Sequence, residues 1–135
     1  MRSFDVIVIG AGVIGSSVAY HLVKKGLEVA LIEKGGVASG TSSRCDAVAL
    51  ICDKKPGIDT EIGYASIQLF KQLAKEFSVD FEFASRGSLY VCETDKELEI
   101  ARGYVSEQAK DGYDMRMVDR HELQQIEPYL ADDLA

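Results

Sequence analysis

A run of apolar, mostly β-branched residues from Phe4 to Ile9 breaks into Gly10-Ala11-Gly12-Val13-Ile14-Gly15, and apolar residues at helical spacing follow at once. Few features restrict a fold more. Phe4 to Ile9 suits a strand buried on both faces. Between Gly12 and Lys25, the residues Val13, Ile14, Val18, Ala19, Leu22 and Val23 fall on one broad stripe of a helix, and Gly26 stops it. Leu27 to Ile32 is a second apolar strand. Strand, helix and strand in so short a stretch predict a right-handed βαβ unit with parallel strands.

Each glycine has a physical role in such a unit. Gly10 allows the tight turn out of the strand, Gly12 lets a pyrophosphate approach the backbone, and Gly15 lets the helix pack closely on the strand. The N–H groups of the first helical turn and the positive end of its dipole then face the phosphates. Glu33 ends the second strand, where its carboxylate can accept from both hydroxyls of an adenosine ribose and would repel a 2′-phosphate. A glycine-rich turn that binds nothing shares the bare GxGxxG spacing. The preceding strand, the following helix and the terminal acid together favour a dinucleotide site.

The chain of 135 residues is long enough for one domain with a sizeable core, and its 47% hydrophobic and 27% charged residues are globular in proportion. A net charge of −7, with no basic run longer than Lys24-Lys25 or Lys54-Lys55, argues against a nucleic-acid or anionic-membrane partner. Cys45, Cys52 and Cys92 form no CxxC pair and read as free thiols of a reducing compartment, with no metal site. The opening apolar run is too short for a signal peptide, and no stretch reaches the ~20 apolar residues of a membrane helix. The expected location is cytoplasmic.

Beyond the βαβ unit, Lys34–Ser43 is a Gly/Ser-rich loop, and Pro56-Gly57 breaks the chain after a short segment, RCDAVALICD, that is assigned no element. Asp59 is the expected cap of a helix over 59–77 whose apolar series runs from Ile62 to Phe77. FEFASRGSLYVCE alternates and reads as extended with a turn at Gly87. Thr94 and Glu97 form a capping box for a helix reaching Lys110. DMRMVD reads as a short strand, and Asp119 caps a last helix that stops near Glu127-Pro128. The fold class is α/β: a Rossmann-like βαβ nucleotide-binding lobe over 1–80, leading into the start of a mixed α+β substrate lobe over 81–135.

DVIVIGAGVIGSSVAYHLVKKG, VALIEK and GGVASGTSSR resemble the amine-oxidising flavoprotein family that includes D-amino acid dehydrogenase, glycine oxidase and sarcosine oxidase. RGSLYV and VDRHELQQIEPYL resemble the same family's entry into its substrate domain. The resemblance implies an FAD cofactor held by Gly10, Ala11, Gly12, Val13, Ile14 and Gly15. It puts Glu33 on the adenosine ribose and Lys34 beside the adenine. Gly40, Thr41, Ser42, Ser43 and Arg44 then belong to the loop that reaches the pyrophosphate and flavin. Hydroxyls and N–H groups of such a loop can satisfy phosphate oxygens, and Arg44 adds a fixed positive charge. The family's activity is hydride transfer from a small amine or amino-acid substrate to the flavin, followed by hydrolysis of the imine. The family's chains are more than twice this length, so the sequence reads as an N-terminal fragment without turnover of its own. Its catalytic residues stay unassigned, and a homo- or hetero-oligomer is compatible with it.

Other residues carry less. Arg44 also fits a surface salt bridge, and Lys34 a solvated charge. Asp46 is unexpected near a flavin, because an anion disfavours the reduced anionic ring. Cys45 suggests a covalent flavin anchor but reads better as a small packed thiol. His21 and His121 read as helix-surface residues, and Asp132 and Asp133 as a solvated turn. Tyr90 fits either a substrate pocket or strand packing. A glycerol-3-phosphate or 2-hydroxyacid oxidoreductase, or a non-catalytic nucleotide-fold subunit, shares the same opening.

Overall fold

The computed structural model describes residues 2–131 and Leu134, so Asp132 and Asp133 lie outside the described residues. The chain divides into two compact units, Met1–Val48 and Ala49–Ala135.

In the first unit, strand β1 (Val6–Ile9) pairs in parallel with β2 (Val29–Ile32), in the register Val6 with Val29 through Ile9 with Ile32. Helix α1 (Val13–Lys24) connects them. Parallel neighbours need such a crossover, since a tight turn can join only antiparallel strands. Gly26, at φ 85°, takes the left-handed conformation just past the helix, and its N–H donates to the Val23 carbonyl.

The strand expected to be buried on both faces is half-buried on one only. Val6 and Val8 are sheltered on the α1 side, whereas Ile7 and Ile9 stay 59% and 85% exposed on the other. Among the described residues no element of this unit covers that second face. The α1 stripe is likewise open at Val13, Ile14, Val18 and Val23, with only Ala19 buried.

The second unit holds α2 (Ile58–Glu76), α3 (Asp95–Lys110) and α4 (Arg120–Ile126). Thr94 and Glu97 close the expected capping box, with the hydroxyl accepting from the Glu97 N–H and the carboxylate accepting from the Thr94 N–H. Asp119 caps α4 by accepting from the Glu122 N–H at 2.9 Å. Asp59 does not cap α2. Gly57 holds that position at φ 99°, and Asp59 sits in the first turn, where its charge meets the helix dipole. DMRMVD forms no strand, and neither does FEFASRGSLYVCE, because no neighbouring backbone within the described residues pairs with them.

The compact units part at Val48, well before the composition change near residue 80. Long-range contacts join 49–80 to the later helices and loops. Gln108 of α3 donates to the Ile51 and Lys54 carbonyls and to Thr60 Oγ1 of α2. Tyr64 packs edge-on against Tyr113, and Phe70 stacks on Phe83.

Candidate functional site

The glycine turn and the loop after β2 meet at the C-terminal ends of the two strands, where α/β sheets place their ligands. Gly10 extends the parallel pairing by donating to the Ile32 carbonyl at 2.7 Å, then turns the chain at φ 102°. An L-residue is strained at that angle. Ala11 is buried at 3% exposure. Gly12 is the N-cap of α1 and brings no side-chain hydrogen bond, so the first-turn N–H groups of Val13, Ile14 and Gly15 have no intrahelical acceptor. Gly15 lies against β1: a Cβ there would collide with the Gly10 carbonyl, and it would lie 3.6 Å from Val8 Cγ1.

Glu33 sits just beyond β2. Its Oε2 accepts from the Ala11 N–H and its Oε1 from the Gly35 N–H, both at 2.9 Å. These backbone N–H groups, Ala11 foremost and then Gly35, hold its carboxyl below the usual carboxylate range. Each oxygen keeps a lone pair for a further donor.

The segment after Glu33 folds back over the glycine turn. Ala38, at φ 57°, donates to the Ala11 carbonyl at 2.9 Å. Gly40 starts a 3-10 turn over Thr41–Ser43, and the Ser43 hydroxyl donates to the Gly40 carbonyl. Ser42 Oγ accepts from the Val13 N–H at 2.9 Å, which leaves its own O–H available. A Cβ on Gly12 would lie 3.1 Å from that oxygen. Thr41, Arg44 and Lys34 are exposed.

Of the residues singled out in the sequence, Gly10 to Gly15, Glu33 and Ser42 are therefore joined by direct bonds or close approach. Arg44 makes no ion pair among the described residues, and Lys34 acts on Glu33 through its backbone N–H and then through its charge. The contacts of Gly35 and Ala38 are not evident in the sequence. Gly35 had a signal in the Gly-Gly pair, but an alanine at φ 57° had none.

Cys45 is exposed, not packed, because it follows the surface 3-10 turn; its thiol donates to the Ser42 carbonyl at 3.4 Å. Asp46 is exposed. His21 lies on the α1 surface edge-on to Tyr20, and His121 is exposed in the first turn of α4. Tyr90, 55% exposed, lines a groove of about 320 Å³ in the second unit with Leu98, Ala101 and Val105 of α3.

A parallel βαβ unit with an open helix start, side-chain-free approach at Gly12 and an oriented carboxylate at the end of β2 has the layout of the Rossmann class of nucleotide folds. The donor set fits an adenine dinucleotide: free N–H groups and a serine hydroxyl for phosphates, and an anion for a ribose diol.

A family model described as "FAD dependent oxidoreductase" (DAO) matches residues 5–135, and the chain belongs to that family. It is 28% identical over 135 residues to a glycerol 3-phosphate dehydrogenase of Caloramator mitchellensis, covering 97% of this chain and 28% of that one. It is 29% identical over 140 residues to the sarcosine oxidase subunit beta of an Arthrobacter species, covering 98% and 34%. The crystal structure of glycine oxidase from Geobacillus kaustophilus superposes with a TM-score of 0.90 at 25% identity, covering 100% of this chain and 38% of that one. The chain thus spans about a third of the length of these relatives.

Proposed function

We infer that this chain supplies the FAD-binding part of an oxidoreductase acting on amino acids or secondary amines. The observation that carries this reading is the Glu33 carboxylate fixed beside the Gly10–Gly15 turn, within a chain of the FAD-dependent family. Ile14 and Gly15 offer N–H groups to the pyrophosphate, and Ser42, whose Oγ holds the Val13 N–H, adds its O–H. Gly12 gives room, and Glu33 accepts from the adenosine ribose. Gly40, Thr41, Ser43 and Arg44 complete the loop toward the flavin, with Lys34 beside the adenine. FAD, when bound, supplies the hydride-accepting ring of this chemistry. The functional lobes proposed are 1–80 for the cofactor and 81–135 for the beginning of the substrate side.

The free thiols Cys45, Cys52 and Cys92 support a cytoplasmic location, and no helix is long and apolar enough to cross a membrane among the described residues. Similarity to a glycerol 3-phosphate dehydrogenase supports a second reading, oxidation of a phosphorylated alcohol.

Titration calorimetry of the chain with FAD tests the cofactor, and absence of FAD binding overturns it. Anaerobic flavin reduction by the full-length gene product tests the substrate class. Bleaching by glycine, sarcosine, D-alanine or proline is expected. Bleaching by glycerol 3-phosphate alone would establish the second reading.

A further inference from the structure

Glu33 does more in this fold than wait for a ligand. Its two oxygens are each engaged by a backbone N–H from a different turn: Oε2 by Ala11, in the glycine turn after β1, and Oε1 by Gly35, in the turn after β2. The span from Ala11 to Glu33 is 22 residues, so the carboxylate ties together two loops that only the βαβ crossover brings close. The Ala11 N–H is a costly group to leave unmet, because Ala11 is buried at 3% exposure. Val13 and Ala38 add backbone ties between the same loops, one to Ser42 Oγ and one to the Ala11 carbonyl. Only the Glu33 ties are charged, and charge-assisted hydrogen bonds are the stronger kind.

We propose that Glu33 is a latch: bonded to the Ala11 and Gly35 N–H groups, it holds the glycine turn in its phosphate-receiving shape before any nucleotide arrives. This is a positioning role, separate from contact with a ribose. It rests on the dinucleotide reading only for its consequence in binding, since both hydrogen bonds join atoms of this chain alone. A protonated or amide side chain keeps one good acceptor where the latch needs two. Lys34 is the charged neighbour that favours the anion, and no other charged side chain acts on Glu33 among the described residues.

The latch and ribose recognition predict opposite results with inorganic pyrophosphate, which carries no ribose. If Glu33 served only the ribose, Glu33→Gln would remove a negative charge near the phosphates and leave pyrophosphate binding equal or tighter. If Glu33 sets the turn, the variant spends part of its time with the turn in other shapes, and apparent affinity falls by the competent fraction. A turn competent about a third of the time binds about threefold more weakly. NMR titration of the 135-residue chain with pyrophosphate at neutral pH reads this directly. Binding weaker by about threefold or more in Glu33→Gln is expected, and equal or tighter binding overturns the latch.

A second measurement needs neither variant nor ligand. Couplings through the hydrogen bonds, from the Ala11 and Gly35 amide nitrogens to Glu33 Cδ, are expected in the free wild-type chain. Absence of either coupling overturns the latch. Wild-type chain that shows both couplings but binds no pyrophosphate would retain the latch and refute the dinucleotide reading, so the two failures are distinguishable.

Discussion

Gln108 Nε2 donates to Thr60 Oγ1 across 2.8 Å, with both side chains fully buried and 48 positions apart in the sequence. The same nitrogen reaches the Ile51 and Lys54 carbonyls, and Thr60 Oγ1 in turn donates to the Lys55 carbonyl. One amide thus organises the approach to α2 from α3. Gln108 Oε1 is buried without a protein partner, a position suited to an internal water. Gln108→Ala should destabilise the second unit by about 2–4 kcal/mol, since it takes the amide donor from the Lys54 carbonyl and Thr60 Oγ1, leaves the Ile51 carbonyl only the Lys54 N–H, and opens a cavity. Gln108→Leu should cost less than Gln108→Ala, because it fills the space and removes the unmet oxygen. Urea unfolding of the three proteins checks the order, and a leucine variant less stable than the alanine variant would refute it.

Gly15→Ala should damage the fold itself. The added Cβ collides with the Gly10 carbonyl, which is backbone and cannot swing aside, so α1 must move off β1. A loss of about 2–4 kcal/mol is expected from such overpacking, seen as an earlier thermal transition of the first unit.

Gly12→Val should spare the fold and abolish FAD binding. Its Cβ approaches the Ser42 hydroxyl at 3.1 Å, a side-chain atom that can turn away, but the valine fills the space the pyrophosphate needs. Native circular dichroism with no calorimetric FAD signal is the expected pair of results. Wild-type FAD affinity in this variant would sink the assignment of the phosphate site.

Glu33→Ala should weaken FAD more than FMN, which has no adenosine for the carboxylate to hold. The FAD loss is expected at about tenfold or more, the scale of charge-assisted hydrogen bonds. Equal losses for the two flavins in calorimetry would show that Glu33 does not read the ribose.

Acid should loosen the chain in a defined direction. The carboxyls of Glu33, Glu97 and Glu122 all lie below their ordinary value. The Ala11 N–H is the main cause for Glu33, the Glu93 N–H for Glu97, and the Arg116 guanidinium for Glu122. A lowered native value means that the unfolded chain binds protons first. The stability these groups contribute is therefore whole above the ordinary glutamate value and is lost as pH falls through the lowered native values. Carbon-detected NMR titration should give midpoints for these three side chains below the ordinary glutamate value.

Thr94→Ala removes one half of the capping box, leaving the Glu97 N–H without its acceptor. About 1 kcal/mol of stability should be lost, with earlier fraying of α3 visible in amide exchange at Asp95–Glu97. Unchanged exchange there would show that the cap is idle.

Sequence alone determined what depends on residues within a turn or two of each other. The Thr94–Glu97 box, the Asp119 cap, the Gly26 stop and the apolar periodicities of α1 to α3 act between neighbours, and all lie where the local pattern put them. The glycine spacing likewise carried the β1–α1–β2 order, because only one crossover suits two short parallel strands. Tertiary structure decided what needs a distant partner. DMRMVD has strand-like residues, yet a strand exists only where another backbone accepts its hydrogen bonds, and none among the described residues does. The exposure of Ile7 and Ile9 depends on what covers the far face of the sheet, which their own apolar character cannot supply. Glu33 was legible as an acid at the end of a strand. Its grip on Ala11 and Gly35 was not, because hydrogen bonds between loops depend on where the crossover delivers them in space.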